Sequence, residues 1–139
     1  MSNEPSAEGI IRDGLAKMQL MQLATVAGDT PWICTVHFIE DEELNLYWLS
    51  LPSRRHSQEL VSNPKVAVTI AVKDEMPVIG IQAEGQAGEV TDHEVIKSIM
   101  EKYVAKFNIG SGFYDNFIAC NSKHKLYKFT PKRFHFSTK

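Results

Sequence analysis

The sequence predicts a mainly β (α+β) fold, an antiparallel barrel with two or three helices on its periphery. About six or seven segments are rich in β-branched and aromatic residues, whereas only two or three show helical periodicity. The early strands follow one another closely, which indicates hairpins rather than βαβ crossovers. One long strand is interrupted by Gly80, Gly85 and Gly88, and such breaks are typical of the bulges of a barrel. Many strands with few helices therefore favour a barrel over a parallel sheet.

The length of 139 residues suits a single domain, 1–139, with residues 1–5 expected to be disordered. A hydrophobic content of 43% and a charged content of 23% are typical of a soluble protein. The net charge of −2 gives no indication of nucleic-acid binding. Because the polar, acidic start is unlike a signal peptide and no segment reaches transmembrane length, we expect a cytoplasmic protein without a membrane partner.

Cysteine and histidine usage predicts neither a disulfide framework nor a metal site. The chain has two cysteines, Cys34 and Cys120, too few for a disulfide-stapled fold. Its five histidines show no metal-ligand spacing relative to these cysteines. Neither thiol lies in a recognised nucleophile motif, so we expect both to be buried and inert.

The first third of the chain predicts one helix followed by strands. Ser6 can cap a helix over about residues 7–21, whose apolar side chains share one face. The alternating, β-rich segments that follow predict strands at 23–27, 31–39 and 44–49.

The next segment predicts a short helix between two strands. Pro52 ends the first strand, and Ser53 can cap a helix over about residues 54–62. The Asn63-Pro64 pair ends that helix, because a residue before proline is disfavoured in the α region. A strand is then predicted at 66–72.

Cationic side chains, Arg54, Arg55 and His56, occupy the first turn of this short helix. That end of a helix already carries partial positive charge, so each cation there is unfavourable by about 0.3–1 kcal/mol. A bound anion would reverse this, since free N–H groups, the cations and the hydroxyls of Ser50 and Ser53 form a phosphate cradle. The other interpretation is a solvated surface, and local physics leaves both open.

The second half of the chain predicts a long strand, one clear helix and short closing strands. The long strand covers residues 78–90, and a capping-box pattern beginning at Thr91 opens an amphipathic helix. The remaining predicted segments are a loop and two short strands separated by Pro131: 108–116, 126–129 and 134–136.

Three stretches follow one another in a characteristic order. Residues 23–50 contain an ATV segment and a closing aromatic strand, and 53–70 contain a basic pair before a helix that ends in Asn-Pro. Residues 79–90, IGIQAEGQAGEV, are a strand segment broken by glycines. In this order the three stretches resemble the pyridoxamine 5′-phosphate oxidase-like family of split barrels that bind flavin mononucleotide (FMN). The resemblance implies an antiparallel split β-barrel that forms a homodimer and binds FMN in two clefts at the dimer interface.

The resemblance also implies which residues hold the cofactor. Arg55 and His56 match the basic pair on the FMN phosphate, and Ser50 matches the hydroxyl residue that closes the preceding strand. Residues 34–39 match the strand beside the isoalloxazine ring and ribityl chain. The second basic residue is usually lysine, and a histidine is charged at neutral pH only if its pKa is raised. The predicted cofactor-binding set is Cys34, Thr35, Val36, His37, Leu49, Ser50, Arg54, Arg55, His56 and Gln82.

Strand alternation assigns directions to some of these side chains. Thr35 and His37 share one strand face, which we expect to lie nearer the ligand than the other face. Trp48 is expected in the core. Gln82 and Glu84 alternate with apolar residues, so they face either a dimer partner or solvent.

The resemblance implies an FMN-dependent oxidoreductase acting on an unknown small substrate, with no catalytic acid or base assigned. The chain ends at FHFSTK and lacks the extension with tryptophan and arginine that holds substrate in pyridoxamine phosphate oxidases proper. That specific oxidase activity is therefore not implied. The alternatives are a non-catalytic flavin-binding protein, or the same cleft filled by haem or a deazaflavin.

Overall fold

The computed structural model describes residues 6–120 and 122–138, so the predicted disorder of 1–5 lies outside the described residues. The elements within these ranges are α1 (Ala7–Lys17), β1 (Leu20–Ala27), β2 (Thr30–His37), β3 (Ile39–Glu40), β4 (Leu46–Ser50), α2 (Arg55–Ser62), β5 (Lys65–Lys73), β6 (Ile79–Glu89), α3 (His93–Phe107), α4 (Ser111–Ile118) and β7 (Lys125–Thr138). The strands form one sheet in the order β2-β1-β5-β6-β7-β4-β3, and every pairing is antiparallel. The sheet curls into a half-barrel, which confirms the predicted antiparallel split-barrel class.

The core lies inside the curled sheet, with a second cluster between the sheet and the last two helices. Trp48 is fully buried, as predicted, and its ring stacks on Tyr127 at a centroid distance of 5.6 Å. The barrel core is built from Phe38, between β2 and β3, and from strand residues that alternate inward: Met21, Leu23, Leu46, Trp48, Val68, Ile70, Ile81 and Phe129. The second cluster joins α3 and α4 to β3 and β4 through Ile39, Tyr47, Ile99, Met100, Tyr103 and Phe117.

The first helix is shorter than predicted. Ser6 caps α1 as predicted, with its Oγ accepting a hydrogen bond from the Gly9 N–H at 3.0 Å. The helix ends at Lys17 rather than at residue 21, because Met21 and Leu23 take inward strand positions in β1. Pairing with β2 and β5 supplies their main-chain hydrogen bonds, so sheet packing outweighs helical propensity here.

The C-terminal region differs most from its prediction. The predicted loop 108–116 is wrong, because α4 forms over Ser111–Ile118 and packs on α3, with Phe113 stacked on Tyr103 at 5.9 Å. The two predicted closing strands are one long strand, β7. Pro131 lies opposite Gly85, where a register shift makes a bulge, and a bulge tolerates a residue without an N–H.

Two helix caps and one thiol also differ from the prediction. Ser53 does not cap α2, whose N-cap is Arg54. Asp92 rather than Thr91 caps α3, since its Oδ1 accepts from two main-chain N–H groups. Cys34 is half-buried, and burial raises the pKa of its thiol. Cys120 is exposed, so the prediction of a buried thiol there is wrong, because it lies in the turn after α4.

Candidate functional site

The start of α2 has open hydrogen-bond donors. Arg54 has extended backbone at the N-cap and makes no side-chain cap. Its N–H donates to the Leu51 carbonyl at 3.1 Å, and the first helical bond runs from the Gln58 N–H to the Arg54 carbonyl. The main-chain N–H groups of the three residues between, 55–57, have no acceptor within the described residues. Such groups, together with the helix dipole, form a favourable place for an anion.

Arg55 is held in place from two sides. Its Nε donates to Glu59 Oε2 at 3.0 Å, and its guanidinium carbon lies 4.1 Å from the centroid of the Trp32 ring. The two terminal nitrogens of Arg55 make no hydrogen bond to the described residues. Since a guanidinium binds phosphate through paired N–H groups, Arg55 keeps the part of its side chain that an anion needs.

Glu59 is a buried carboxylate with both oxygens engaged. Thr25 Oγ1 donates to Oε1 at 2.9 Å, while Arg55 donates to Oε2. The hydrogen bond from Arg55 is the main cause that lowers the pKa of Glu59, with Thr25 also contributing and burial opposing it. Glu59 is therefore ionised at neutral pH. Two arginines, 54 and 55, against this one carboxylate leave a net charge of +1 (2 − 1) around the start of α2.

His56 is buried rather than exposed to a ligand. Its Nε2 lies 2.8 Å from Ser50 Oγ, and the two residues are only 8% and 6% exposed. Burial lowers the pKa of His56, the Arg54 charge lowers it further, and Glu59 partly opposes both. The imidazole is therefore neutral at pH 7. The Ser50–His56 hydrogen bond joins the end of β4 to the first turn of α2.

The neutral, buried state of His56 predicts a loss of stability in mild acid. Because its folded-state pKa is lowered, the unfolded chain binds a proton below pH 6.5 that the folded protein does not. As the pH is lowered below 6.5, the free energy of unfolding should therefore decrease, by up to about 1.4 kcal/mol per pH unit, until the pH reaches the lower folded-state pKa. Above the unfolded-state pKa this loss is absent.

Urea unfolding at about pH 7.5 and about pH 5.5 tests this on the wild type and His56→Gln. The difference in unfolding free energy between wild type and His56→Gln should change between the two pH values. An identical pH profile for wild type and His56→Gln would contradict the prediction.

The remaining predicted residues lie on different surfaces. Cys34 and Val36 pack half-buried against the barrel core, whereas Thr35 and His37 are exposed on the opposite face of β2. The His37 ring lies 4.7 Å from that of Phe107, at the end of α3. Leu49 packs half-buried on the α3–α4 side of the sheet.

Gln82 lies apart from the start of α2. It is exposed on β6, and β1 and β5 separate it from β2. Three strand spacings, about 14 Å, therefore lie between Gln82 and Thr35. The structure thus brings Ser50, Arg54, Arg55 and His56 together, with β2 reached through Trp32, and leaves Gln82 at a distance within one chain.

Sequence reasoning left out three residues around Arg55. Glu59 has a local signal, because it follows Arg55 by four residues on a helix, the spacing of an ion pair. Trp32 and Thr25 have none, since they reach Arg55 and Glu59 only through the pairing of β1 with β2.

None of the helices in residues 6–120 and 122–138 combines the length and apolar character needed to cross a membrane. Across the same ranges, no three His, Cys, Asp or Glu side chains come together as a metal-binding group.

The fold and this site together define a class of protein: a split barrel in which the first turn of one helix offers free N–H groups to an anion. The family model described as pyridoxamine 5′-phosphate oxidase matches residues 8–137. The chain belongs to that family. No curated protein matches the sequence significantly.

Solved structures agree with the fold. An FAD-binding protein from Mesorhizobium loti is 16% identical with a TM-score of 0.72, and the match covers 97% of this chain and 96% of that one. The heme storage protein HutZ from Vibrio cholerae is 19% identical with a TM-score of 0.74, covering 96% and 95%. A protein of unknown function from Agrobacterium tumefaciens is 16% identical with a TM-score of 0.74; the match covers 92% of this chain but spans only 55% of that protein.

Proposed function

We propose that this protein binds FMN, with the phosphate at the start of α2. The observation that carries the proposal is the uncapped helix start, where three main-chain N–H groups and the terminal nitrogens of Arg55 have no acceptor in the described chain. Arg54 adds a second, exposed cation. A phosphate there would remove the unfavourable meeting of arginines with the positive helix end.

Strand β2 would hold the ring end of the cofactor. It forms an edge of the sheet, so main-chain groups on its outer side have no sheet partner. Those of residues 34–37 that point to this outer side would bond the polar edge of a planar ring, beside the exposed side chains of Thr35 and His37. The neutral Ser50–His56 pair would act by fixing α2 against β4.

A bound flavin supplies the redox chemistry, while the protein binds it, orients it and limits access of water. We propose an oxidoreductase that acts on a small substrate. The second candidate is a non-catalytic binding protein, and it is favoured by a specific observation: a neutral His56 leaves the site with less positive charge than an Arg-Lys pair would.

A homodimer is part of the proposal. The outward face of the sheet carries Ile33, which is 58% exposed, and a groove of about 380 Å³ between Ile33 and Gln82. A second copy of the chain would cover this apolar residue and would face Gln82, which lines the same groove. Sedimentation equilibrium at micromolar concentration tests the dimer, and a monomer would contradict it. A cytoplasmic location stays a prediction.

The test of the proposed function is the chromophore that the purified protein carries or accepts. We expect a flavin absorption spectrum, or its appearance when the colourless protein is mixed with FMN. Mass spectrometry of the extracted chromophore separates FMN from FAD, a deazaflavin and haem. A protein that remains colourless after reconstitution with FMN would overturn the proposal. With FMN bound, stopped-flow reduction by nicotinamide donors then separates the oxidoreductase from the non-catalytic protein.

A further inference from the structure

We propose that Trp32 and Glu59 are positioning residues that hold the Arg55 guanidinium ready for the phosphate. Neither residue touches the ligand in this proposal, which rests on the proposed FMN binding. The guanidinium carbon of Arg55 lies over the Trp32 ring, 4.1 Å from its centroid, and Glu59 Oε2 accepts a hydrogen bond from the Arg55 Nε at 3.0 Å. Together these two contacts restrict the position and the direction of the group.

Glu59 binds Arg55 at Nε and not at the end of the guanidinium group that a phosphate would bind. A carboxylate that bound the two terminal nitrogens would compete directly with a phosphate for them. Glu59 instead binds at Nε, and the terminal nitrogens make no hydrogen bond within the described chain. The Arg55 side chain as a whole is 46% exposed, so an anion in solution can reach it. The ion pair therefore orients Arg55 without occupying its phosphate-binding end.

Glu59 is itself fixed, unlike the carboxylate of an ordinary surface pair. It is 8% exposed, and its second oxygen accepts a hydrogen bond from the fully buried Thr25. Thr25 lies directly opposite Trp32 in the pairing of β1 with β2. One cross-strand pair thus supports both contacts of Arg55, because Trp32 provides the ring and Thr25 anchors the carboxylate.

The partial exposure of Trp32 argues against a purely structural role. Cys34 and Val36, on the same face of β2, are half-buried, whereas Trp32 remains 41% exposed although tryptophan has the largest side chain. A free arginine loses rotamer freedom when it binds an anion, whereas one already held in place loses less. The exposed indole is best explained by this pre-ordering of Arg55.

The experiment measures dissociation constants for FMN and for riboflavin, which lacks the phosphate, in variants of Trp32 and of Glu59 and in a control variant. Trp32→Leu should weaken FMN binding about fivefold and leave riboflavin binding unchanged, and Trp32→Phe should restore FMN binding because a ring remains. Glu59→Met removes both hydrogen bonds; glutamine is unsuitable since its amide can keep both. The matched control is Glu8→Met, which breaks the exposed Arg12–Glu8 pair of the same spacing on α1.

Glu59→Met separates positioning from simple charge. Removing a negative charge near the phosphate should tighten FMN binding if charge alone matters. Positioning predicts the opposite sign, a loss of about tenfold with riboflavin binding unchanged. Circular dichroism confirms that the variants are folded, and NMR relaxation of the Arg55 Nε–H group should show increased mobility in Trp32→Leu.

Equal loss of FMN and riboflavin binding, tighter FMN binding by Glu59→Met, or an Arg55 Nε–H group equally ordered in Trp32→Leu and wild type would overturn the positioning role alone. A wild type that binds no FMN would overturn the proposed function, and the positioning role with it.

Discussion

Substituting Gly85 with alanine is expected to destabilise the protein by about 3–5 kcal/mol, the range of the severe single substitutions. A Cβ at this position would overlap the carbonyl oxygen of Thr130 and lie 3.0 Å from both Phe129 Cε2 and Pro131 Cα. Two of these three atoms belong to the backbone of β7, which cannot rotate away as a side chain can. The β6–β7 bulge therefore requires glycine at position 85, because the backbones of the two strands approach each other closely there.

Gly88→Ala is the matched control for this prediction. Gly88 lies on the same strand, yet a Cβ there would meet nothing within 4 Å. We expect a change in unfolding free energy within about 0.5 kcal/mol, as for an ordinary surface substitution. Chemical denaturation of both variants measures the difference, and similar midpoints for the two would show that the bulge tolerates a side chain.

Substituting Arg55 with alanine is expected to raise the dissociation constant for FMN by about 100-fold. This follows from the loss of two charge-assisted hydrogen bonds, worth about 1.5–3 kcal/mol each before the remaining N–H groups and Arg54 compensate in part. Riboflavin, which has no phosphate, should bind both proteins equally. Flavin fluorescence titrations at constant ionic strength measure both constants.

Arg12→Ala provides the control for Arg55→Ala. Arg12 pairs with Glu8 at the same four-residue spacing, 3.0 Å apart, on the surface of α1. We expect its dissociation constant for FMN to match that of the wild type. If Arg55→Ala also binds FMN like the wild type, the phosphate lies somewhere other than the start of α2.

Local sequence patterns were sufficient for much of the fold. Alternating strands, the Ser6 cap and the amphipathic stripe of α3 depend on neighbours within one element, so they are visible in the sequence. The continuity of strand β7 through Pro131 is not visible in the sequence, because it depends on a bulge opposite Gly85 on the neighbouring strand. Helix α4 was missed for a similar reason, since contact of Phe113 with Tyr103 outweighs two nearby glycines.

The candidate site divides in the same way. The order of residues 50–56 placed two hydroxyls and three basic residues around one helix start, and a short stretch of chain cannot spread them far apart. The tertiary structure decided their states: it buried His56 against Ser50, so that the imidazole is neutral, and it placed Arg55 between Trp32 and Glu59. Burial and cross-strand contact depend on residues distant in sequence, and for that physical reason only the folded chain specifies that the two arginines stay exposed to a ligand while the histidine is buried.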